Sequence, residues 1–350
     1  MSYRKLILLL IFALPVHAAQ DAGSEKRSDP LPPPAVSPEL SQAHSLMEQG
    51  KYQEALQTLK KIELHSSNAS GLAHDLGVTY YHLGNFADAV PALQHALVES
   101  PDDHEAEQLL GISFFQLGKS DEAISWLSKL KAALPAGSLD TDYVLGLCYL
   151  RSRDYEHARS SFAAMYGVPP ESAAAYLFTA RMLLRQGNDS RAEEIAQKTT
   201  AIDSRLPLAH LLLGEIYLYR LELSKAVYEF EQEIKINPAY AGSYDRLADT
   251  YLRMSRLNEA EALLKRSLLL DSNSTGPYIL LGKVHLKKKD YAQARMYLDR
   301  AVKMDPNNYI SHHLLGEAYQ GAGKVEEAEH ELKLAEQLQS SRQAKLADVP

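Results

Sequence analysis

Apolar and polar positions along most of this chain recur with a period of 34 residues. Counted from Val36, Ser70, His104, Leu139, Ala173, Pro207, Ala241, Thr275 and Tyr309, the columns fall into register, and Ser138 alone breaks the spacing. The twentieth column is alanine in every unit: Ala55, Ala89, Ala123, Ala158, Ala192, Ala226, Ala260, Ala294 and Ala328. The eighth is always small, as Gly77, Gly111, Gly146, Gly214, Gly282 and Gly316 or as Ala43, Ala180 and Ala248. Leu76, Leu110, Leu145, Leu213, Leu247, Leu281 and Leu315 stand just before it, and Tyr80, Phe114, Tyr149, Tyr217, Tyr251 and Tyr319 three residues after it. Spacings of three and four place these side chains on one face of a helix.

In the fifteenth column Gly50, Gly84, Gly118, Gly187 and Gly323 end that first helix, because glycine readily takes the left-handed conformation that closes a last turn. A second amphipathic helix follows, with Leu59, Leu93, Leu127, Phe162, Phe230, Leu264, Leu298 and Leu332 four residues after the alanine. The thirty-second column holds Pro101, Pro135, Pro170, Pro238 and Pro306 or Ser67, Ser204, Ser272 and Ser340. Proline there stops the second helix or opens the next, and serine is expected to cap it. Small residues in the eighth and twentieth columns let two antiparallel helices approach closely, while Leu and the aromatics fill the space beside them. Neither helix can bury its stripe alone, so each unit reads as a helical hairpin that is stable only when stacked on its neighbours.

The Leu-Gly-x-x-Tyr core, the alanine at 20 and the proline at 32 resemble the tetratricopeptide repeat family over residues 36–342. The resemblance implies an all-α, right-handed superhelical solenoid of nine hairpins, 36–69, 70–103, 104–137, 139–172, 173–206, 207–240, 241–274, 275–308 and 309–342, with a tail at 343–350. Departures are local: Ala43 and Leu46 in the first unit, Thr199 and Glu233 where a small residue is usual, and His285 where Tyr is usual. The last helix, from Val325 to about Leu346, carries Glu326, Glu327, Glu329, Glu331 and Lys333, which suits the polar cap that a stacked array needs.

In that family, positions 2, 5, 9, 12 and 13 of the first helix line a concave groove that holds a peptide or a helix. Carried onto this chain, they give Tyr143, Arg151, Arg181, Arg185, Glu215, Tyr219, Asp245, Asp249, Arg253, Lys283 and Lys287, flanked by His44, His74 and His82 and by His313 and Glu317. A basic stretch is followed by an acidic and then another basic one, an order that suits a ligand of complementary charge. The same residues equally suit the solvated faces of amphipathic helices. Arg181 and Arg185, four apart, repel one another unless an acidic group pairs them. The Asn and Lys clamp of the chaperone-binding subset is not carried over, since Leu40, His44, His74 and Val78 stand in its place.

Ahead of the repeats, Arg4 and Lys5 precede an apolar run from Leu6 to Val16, then Val16-His17-Ala18 as a small-residue cleavage site. This is the pattern of a secretory signal peptide, cleaved after Ala18, and the run is shorter than the roughly 20 residues of a membrane helix. A retained anchor is the alternative. Residues 19–35 include Pro30, Pro32, Pro33 and Pro34 and read as an extended, flexible linker. The mature chain is expected to be exported, to a periplasm or beyond the cell, and not to span a membrane.

Charge and chemistry narrow the function further. Without Arg4 and Lys5 the 37 basic side chains fall to 35 against 45 acidic ones, a net charge of −10, which disfavours nucleic acid as a partner. A single cysteine, Cys148, allows no internal disulfide and suits a buried apolar role. Gly111 to Ser120 only faintly resembles a phosphate loop, because six residues separate its glycines where four are needed. His312 and His313 are adjacent, hence on different sides of a helix, and no third ligand completes a metal site. Asn68, Asn188 and Asn273 begin glycosylation sequons that matter only in a eukaryotic secretory pathway. No catalytic residue, metal or cofactor is expected, and the oligomeric state is left open. The family resemblance implies a non-catalytic scaffold or adaptor that binds a protein or peptide outside the cytoplasm. A second reading is a periplasmic carrier or guide for an exported polysaccharide or cell-wall glycan, with Tyr143 and Tyr219 stacking on sugars.

Overall fold

A computed structural model describes residues 38–66, 69–134 and 139–347. The proposed signal peptide and linker, 1–35, lie outside the described residues. Two compact units divide between Thr179 and Ala180. The first holds α1 (Pro38–Glu48), α2 (Tyr52–His65), α3 (Leu72–His82), α4 (Phe86–Glu99), α5 (His104–Gln116), α6 (Ser120–Ala133), α7 (Leu139–Arg151) and α8 (Tyr155–Met165). The division falls inside α9 (Ala173–Arg185). The second unit continues with α10 (Asp189–Ile202), α11 (Ala209–Tyr219), α12 (Leu223–Ile236), α13 (Ala241–Arg253), α14 (Leu257–Leu270), α15 (Thr275–Lys287), α16 (Tyr291–Met304), α17 (Tyr309–Gly321) and α18 (Val325–Ala347). The architecture is all-α, in hairpins, without a strand among the described residues. Every second helix begins in the seventeenth column, from Tyr52 to Val325. The expected C-terminal tail is helical in its first part, since α18 runs on to Ala347.

The eighth column is small for a reason that the twentieth does not supply. A Cβ added at Gly146 would lie 2.2 Å from Phe162 Cε1, at Gly214 2.4 Å from Phe230 Cε1, and at Gly77 2.5 Å from Leu93 Cδ2. The first helix therefore rests its backbone directly on the large side chain of the twenty-fourth column, sixteen residues on. Phe162, Phe230, Leu59, Leu93, Leu127 and Leu264 from that column are completely buried. The alanines of the twentieth column are buried too, Ala226 and eight counterparts at 3% exposure or less, and leave room for the approach. In the fifth unit Ala180 and Ala196 occupy the two columns, both fully buried.

The fifteenth column is left-handed whatever residue it carries. Gly50, Gly84, Gly118, Gly187 and Gly323 have φ between 72° and 79°, and Arg153, Leu221, Ser255 and Lys289 take φ of 61°, 60°, 60° and 58°. Helix closure imposes this: Lys289 N–H donates to Leu286 O at 3.0 Å and Asp290 N–H to His285 O at 2.9 Å, the paired bonds of a Schellman end. Four units thus hold a side chain where glycine would sit without strain.

Between units the chain turns through Asp203, Asp271 and Asp305, whose carboxylates accept from the N–H groups of Arg205, Asn273 and Asn307 at 2.8, 2.9 and 3.2 Å. The serines next to them do not cap helices as expected. They offer carbonyls: Ser204 O faces His210 Nε2 at 3.3 Å and Ser272 O accepts from the Tyr278 hydroxyl at 3.5 Å. Pro306 O serves His312 Nε2 at 3.0 Å and Pro238 O the Tyr244 hydroxyl at 3.0 Å, so a fourth-column side chain repeatedly stitches one unit to the last turn of the one before. His210 also holds Glu229 at 2.6 Å through Nδ1, and that bond raises its pKa. Glu233, a departure from the small-residue rule, is fully buried and accepts from Leu208 N–H at 2.8 Å and Leu211 N–H at 3.3 Å, capping α11 from below.

Two substitutions test these constraints in thermal or denaturant melts. Gly214→Ala is expected to destabilise by about 1–3 kcal/mol through overpacking, and adding Phe230→Leu not to relieve it, because Leu93 meets a Cβ at Gly77 as closely. Lys289→Gly is expected to stabilise by up to about 1 kcal/mol, because relief of left-handed strain outweighs the added freedom of the unfolded chain.

Candidate functional site

The candidate groove residues divide between the two units, and the structure gives them unequal roles. In the first unit, Tyr143 on α7 is half-buried with its ring 6.4 Å from that of Phe162. Arg151, at the end of α7, donates through Nη1 to Phe115 O at 2.9 Å and lies 4.0 Å over the Phe115 ring. Phe115 is in the last turn of α5, so Arg151 caps the preceding unit's first helix, where carbonyls lack partners and a cation is favoured. His44 faces Asp75 at 2.7 Å, His74 faces Asp103 at 2.6 Å, and His82 stacks on Tyr52 at 4.3 Å.

In the second unit, Arg181 is half-buried, its Nη2 shielded from water with no hydrogen-bond partner among the described residues, and Arg185 is exposed. Lys287 repeats the arrangement of Arg151, reaching Leu252 O at 3.5 Å in the last turn of α13. Lys283 lies half-buried on α15. His313 faces Glu317 at 3.3 Å, while its neighbour His312 turns inward to Glu331 at 2.6 Å.

Four of the predicted residues meet in one place. Glu215 and Tyr219 from α11 and Asp249 and Arg253 from α13 line a solvent-open cleft with Leu218, Leu221 and Arg246. The close packing of α11 on α12 and α13 on α14 sets its walls. Arg246 Nε donates to Glu215 Oε1 at 3.1 Å, across the two helices, and Arg253 Nε donates to Asp249 Oδ2 at 3.1 Å along one helix. Tyr219 and Leu221 are 60% and 66% exposed, an apolar ledge beside four charges. Arg246 was not among the sequence candidates, because the family's groove positions pass over the sixth. The spacing of 246, 249 and 253 was the available signal, since steps of three and four share a helical face.

Asp245 does not join the cleft residues. Burial pushes its carboxyl up to about 6, against the opposing pulls of Ser267 on α14 and of Arg246, and Asp271 adds to the rise. One of its oxygens is shielded from water with no hydrogen-bond partner, and so is the Ser267 hydroxyl. It is a half-buried carboxylate drawn toward Ser267 on α14 and lies outside the cleft lining.

Elsewhere the chemistry is quiet. Burial pushes the Cys148 thiol up to about 12, far from the thiolate that nucleophilic chemistry needs. Gly111 lies within α5 and Gly118 closes its end, so the stretch that faintly resembles a phosphate loop is helical. Among the described residues no group of three His, Cys, Asp or Glu side chains is placed to hold a metal, and no helix is long and apolar enough to cross a membrane. His285, the departure from Tyr, is buried against Tyr297 at 5.4 Å with neither ring nitrogen hydrogen-bonded.

Tetratricopeptide repeat models match residues 74–138, 143–207, 241–270 and 285–347, together more than half of the chain. The chain belongs to the tetratricopeptide repeat family. Members of that family serve as scaffolds for protein–protein interaction and are typically non-catalytic. A human relative, the intraflagellar transport protein 88 homolog, is 28% identical over 127 residues, covering 34% of this chain and 15% of that protein. The chain therefore spans about a seventh of the length of the curated relative it matches. Among solved structures, the APC/C hetero-tetramer Cut9-Hcn1 is 19% identical with a TM-score of 0.45, covering 80% of this chain and 55% of that one. A tetratricopeptide repeat protein from Parabacteroides merdae is 18% identical with a TM-score of 0.42, covering 70% and 97%. YrrB, described as having an unusual peptide-binding site, is 20% identical with a TM-score of 0.42, covering 49% and 88%.

The buried carboxylate gives a pH test. A folded pKa raised to about 6 from 3.8 means that the native state binds the extra proton, so stability from Asp245 is lost as pH rises from about 4 through 6. Asp245→Asn is expected to melt higher than the parent protein at pH 7.5, with the difference vanishing below about pH 4. Equal melting temperatures across that range would remove the buried-carboxylate assignment.

Proposed function

We propose that this protein is a non-catalytic scaffold that works outside the cytoplasm and holds a peptide or helix of a partner protein against α11 and α13. The observation that carries the reading is the cleft itself: a solvent-open surface where Tyr219 and Leu221 lie exposed beside two arginines held in place by Glu215 and Asp249. An apolar ledge edged by fixed charges offers both burial and orientation, which is how interfaces combine affinity with specificity. Export rests on the sequence alone, on Arg4, Lys5 and the apolar run to Val16.

Site-specific photocrosslinking in living cells tests both halves. A benzophenone side chain in place of Tyr219 is expected to give discrete adducts with one or a few proteins. The same group at Tyr228, equally exposed on α12 but outside the cleft, is expected not to give them. Identical adducts from both positions, or glycan adducts only, would overturn the cleft reading, the latter in favour of a polysaccharide carrier. Fractionation of the same cells locates the protein, and recovery in the cytoplasm with the first residues intact would overturn export.

A further inference from the structure

Exposure of the charged groups in the cleft is one-sided. Arg246 and Arg253 are each committed through Nε alone, to Glu215 and Asp249, and the structure gives their terminal Nη groups no partner among the described residues. Both side chains are about half exposed, at 49% and 48%. The two carboxylates each accept one of these bonds and are only 18% and 21% exposed, so what the cleft presents outward is mainly guanidinium N–H. A planar fork of this kind suits a carboxylate, which accepts two parallel bonds from it.

The next unit continues the same sign. α15 packs on α13 and places Lys283 and Lys287 in the columns of Asp249 and Arg253. Along this face Arg246, Arg253, Lys283 and Lys287 stand against Glu215 and Asp249, four cations to two carboxylates, although the whole chain is acidic. Asp245, half-buried toward α14, adds a third carboxylate that is ionised at neutral pH, and the cations still outnumber the acids along this face. Beside the cations lie Leu218, Tyr219 and Leu221, of which the last two are well exposed.

We infer that the occupant of this cleft is an acidic segment of a partner protein, with carboxylates spaced along an extended backbone and a bulky apolar side chain between them. Its carboxylates take the open forks of Arg246 and Arg253, its apolar residue lies on the Tyr219–Leu221 ledge, and Lys283 and Lys287 draw the next acidic residues along the helix. The inference rests on the cleft reading above and specifies its ligand. It also assigns the salt bridges a purpose: Glu215 and Asp249 hold the arginine stems still, so that less side-chain freedom is lost on binding.

The test uses the purified full chain and three fluorescein-labelled dodecapeptides in fluorescence anisotropy. One alternates Asp with Leu and Tyr, one replaces every Asp by Lys, and one replaces the apolar residues by Ser. The first is expected to bind at low salt, the second not at all, and the third at least tenfold more weakly than the first. Arg246→Gln with Arg253→Gln is expected to weaken the first peptide at least tenfold, and Arg253→Lys, which keeps the charge and loses the fork, to weaken it less. Thermal melts of the variants confirm that each is folded. Binding of the Lys peptide, binding indifferent to the arginine substitutions, or no binding of any peptide would overturn the inference. The cleft reading is judged separately by the Tyr219 crosslinks, so an acidic ligand can fail while a protein ligand stands.

Discussion

The distance between paired helices is set by a backbone lying on a side chain. At Gly146 and Gly214 not even a methyl group fits between the first helix and Phe162 or Phe230. Because the contact recurs sixteen residues apart in unit after unit, it fixes both the separation of the two helices and the sliding of one along the other. Everything else is placed by that setting. The stripe of Leu and Tyr closes over the contact, the hairpin's flank becomes a surface for the next hairpin, and the ninth and thirteenth columns of successive first helices come to lie side by side.

Most of this was legible because a repeated sequence states the same constraint many times. The hairpins, their helix types and the left-handed ends at Gly50 or Gly187 follow from columns that a single unit would not have revealed. The partner of the small eighth column was less legible: the twentieth column is the more uniform, yet the atoms that meet Gly77 belong to Leu93. Uniformity in a column reports that nothing larger fits, not which neighbour forbids it. Likewise, Arg153, Leu221, Ser255 and Lys289 show no glycine in the sequence and still take the left-handed turn, because closure of the helix end dictates the backbone whichever residue occupies it.

At the groove, the sequence identified charges but not their commitments. Arg151 and Lys287 carry the same sign and sit in the same column as Arg253, yet the first two reach carbonyls of the preceding unit and the third reaches Asp249. Asp245 sits one residue before Arg246 and is drawn instead toward Ser267 on α14. These differences depend on which neighbour offers an acceptor at the right height, a property of stacking between units that no single column encodes. Glu233 shows a similar limit in the core: its carboxylate breaks a size rule and is tolerated because two N–H groups in the opening turn of its own unit donate to it.

The acceptors of Arg151 and Lys287 are backbone carbonyls, and every unit has one at that height. A chain that gained or lost a whole 34-residue unit would bring a new neighbour with the same carbonyl, and the stitch would close again without any change of residue. The bond from Arg246 to Glu215 has no such generality, since it requires one particular side chain on one particular neighbour. Length is therefore free to drift by duplication where units are joined through the backbone, whereas side-chain pairs such as Arg246–Glu215, Arg220–Glu193 and Lys288–Glu261 favour the present order at their junctions. The cleft lies at one of the junctions that such a pair marks.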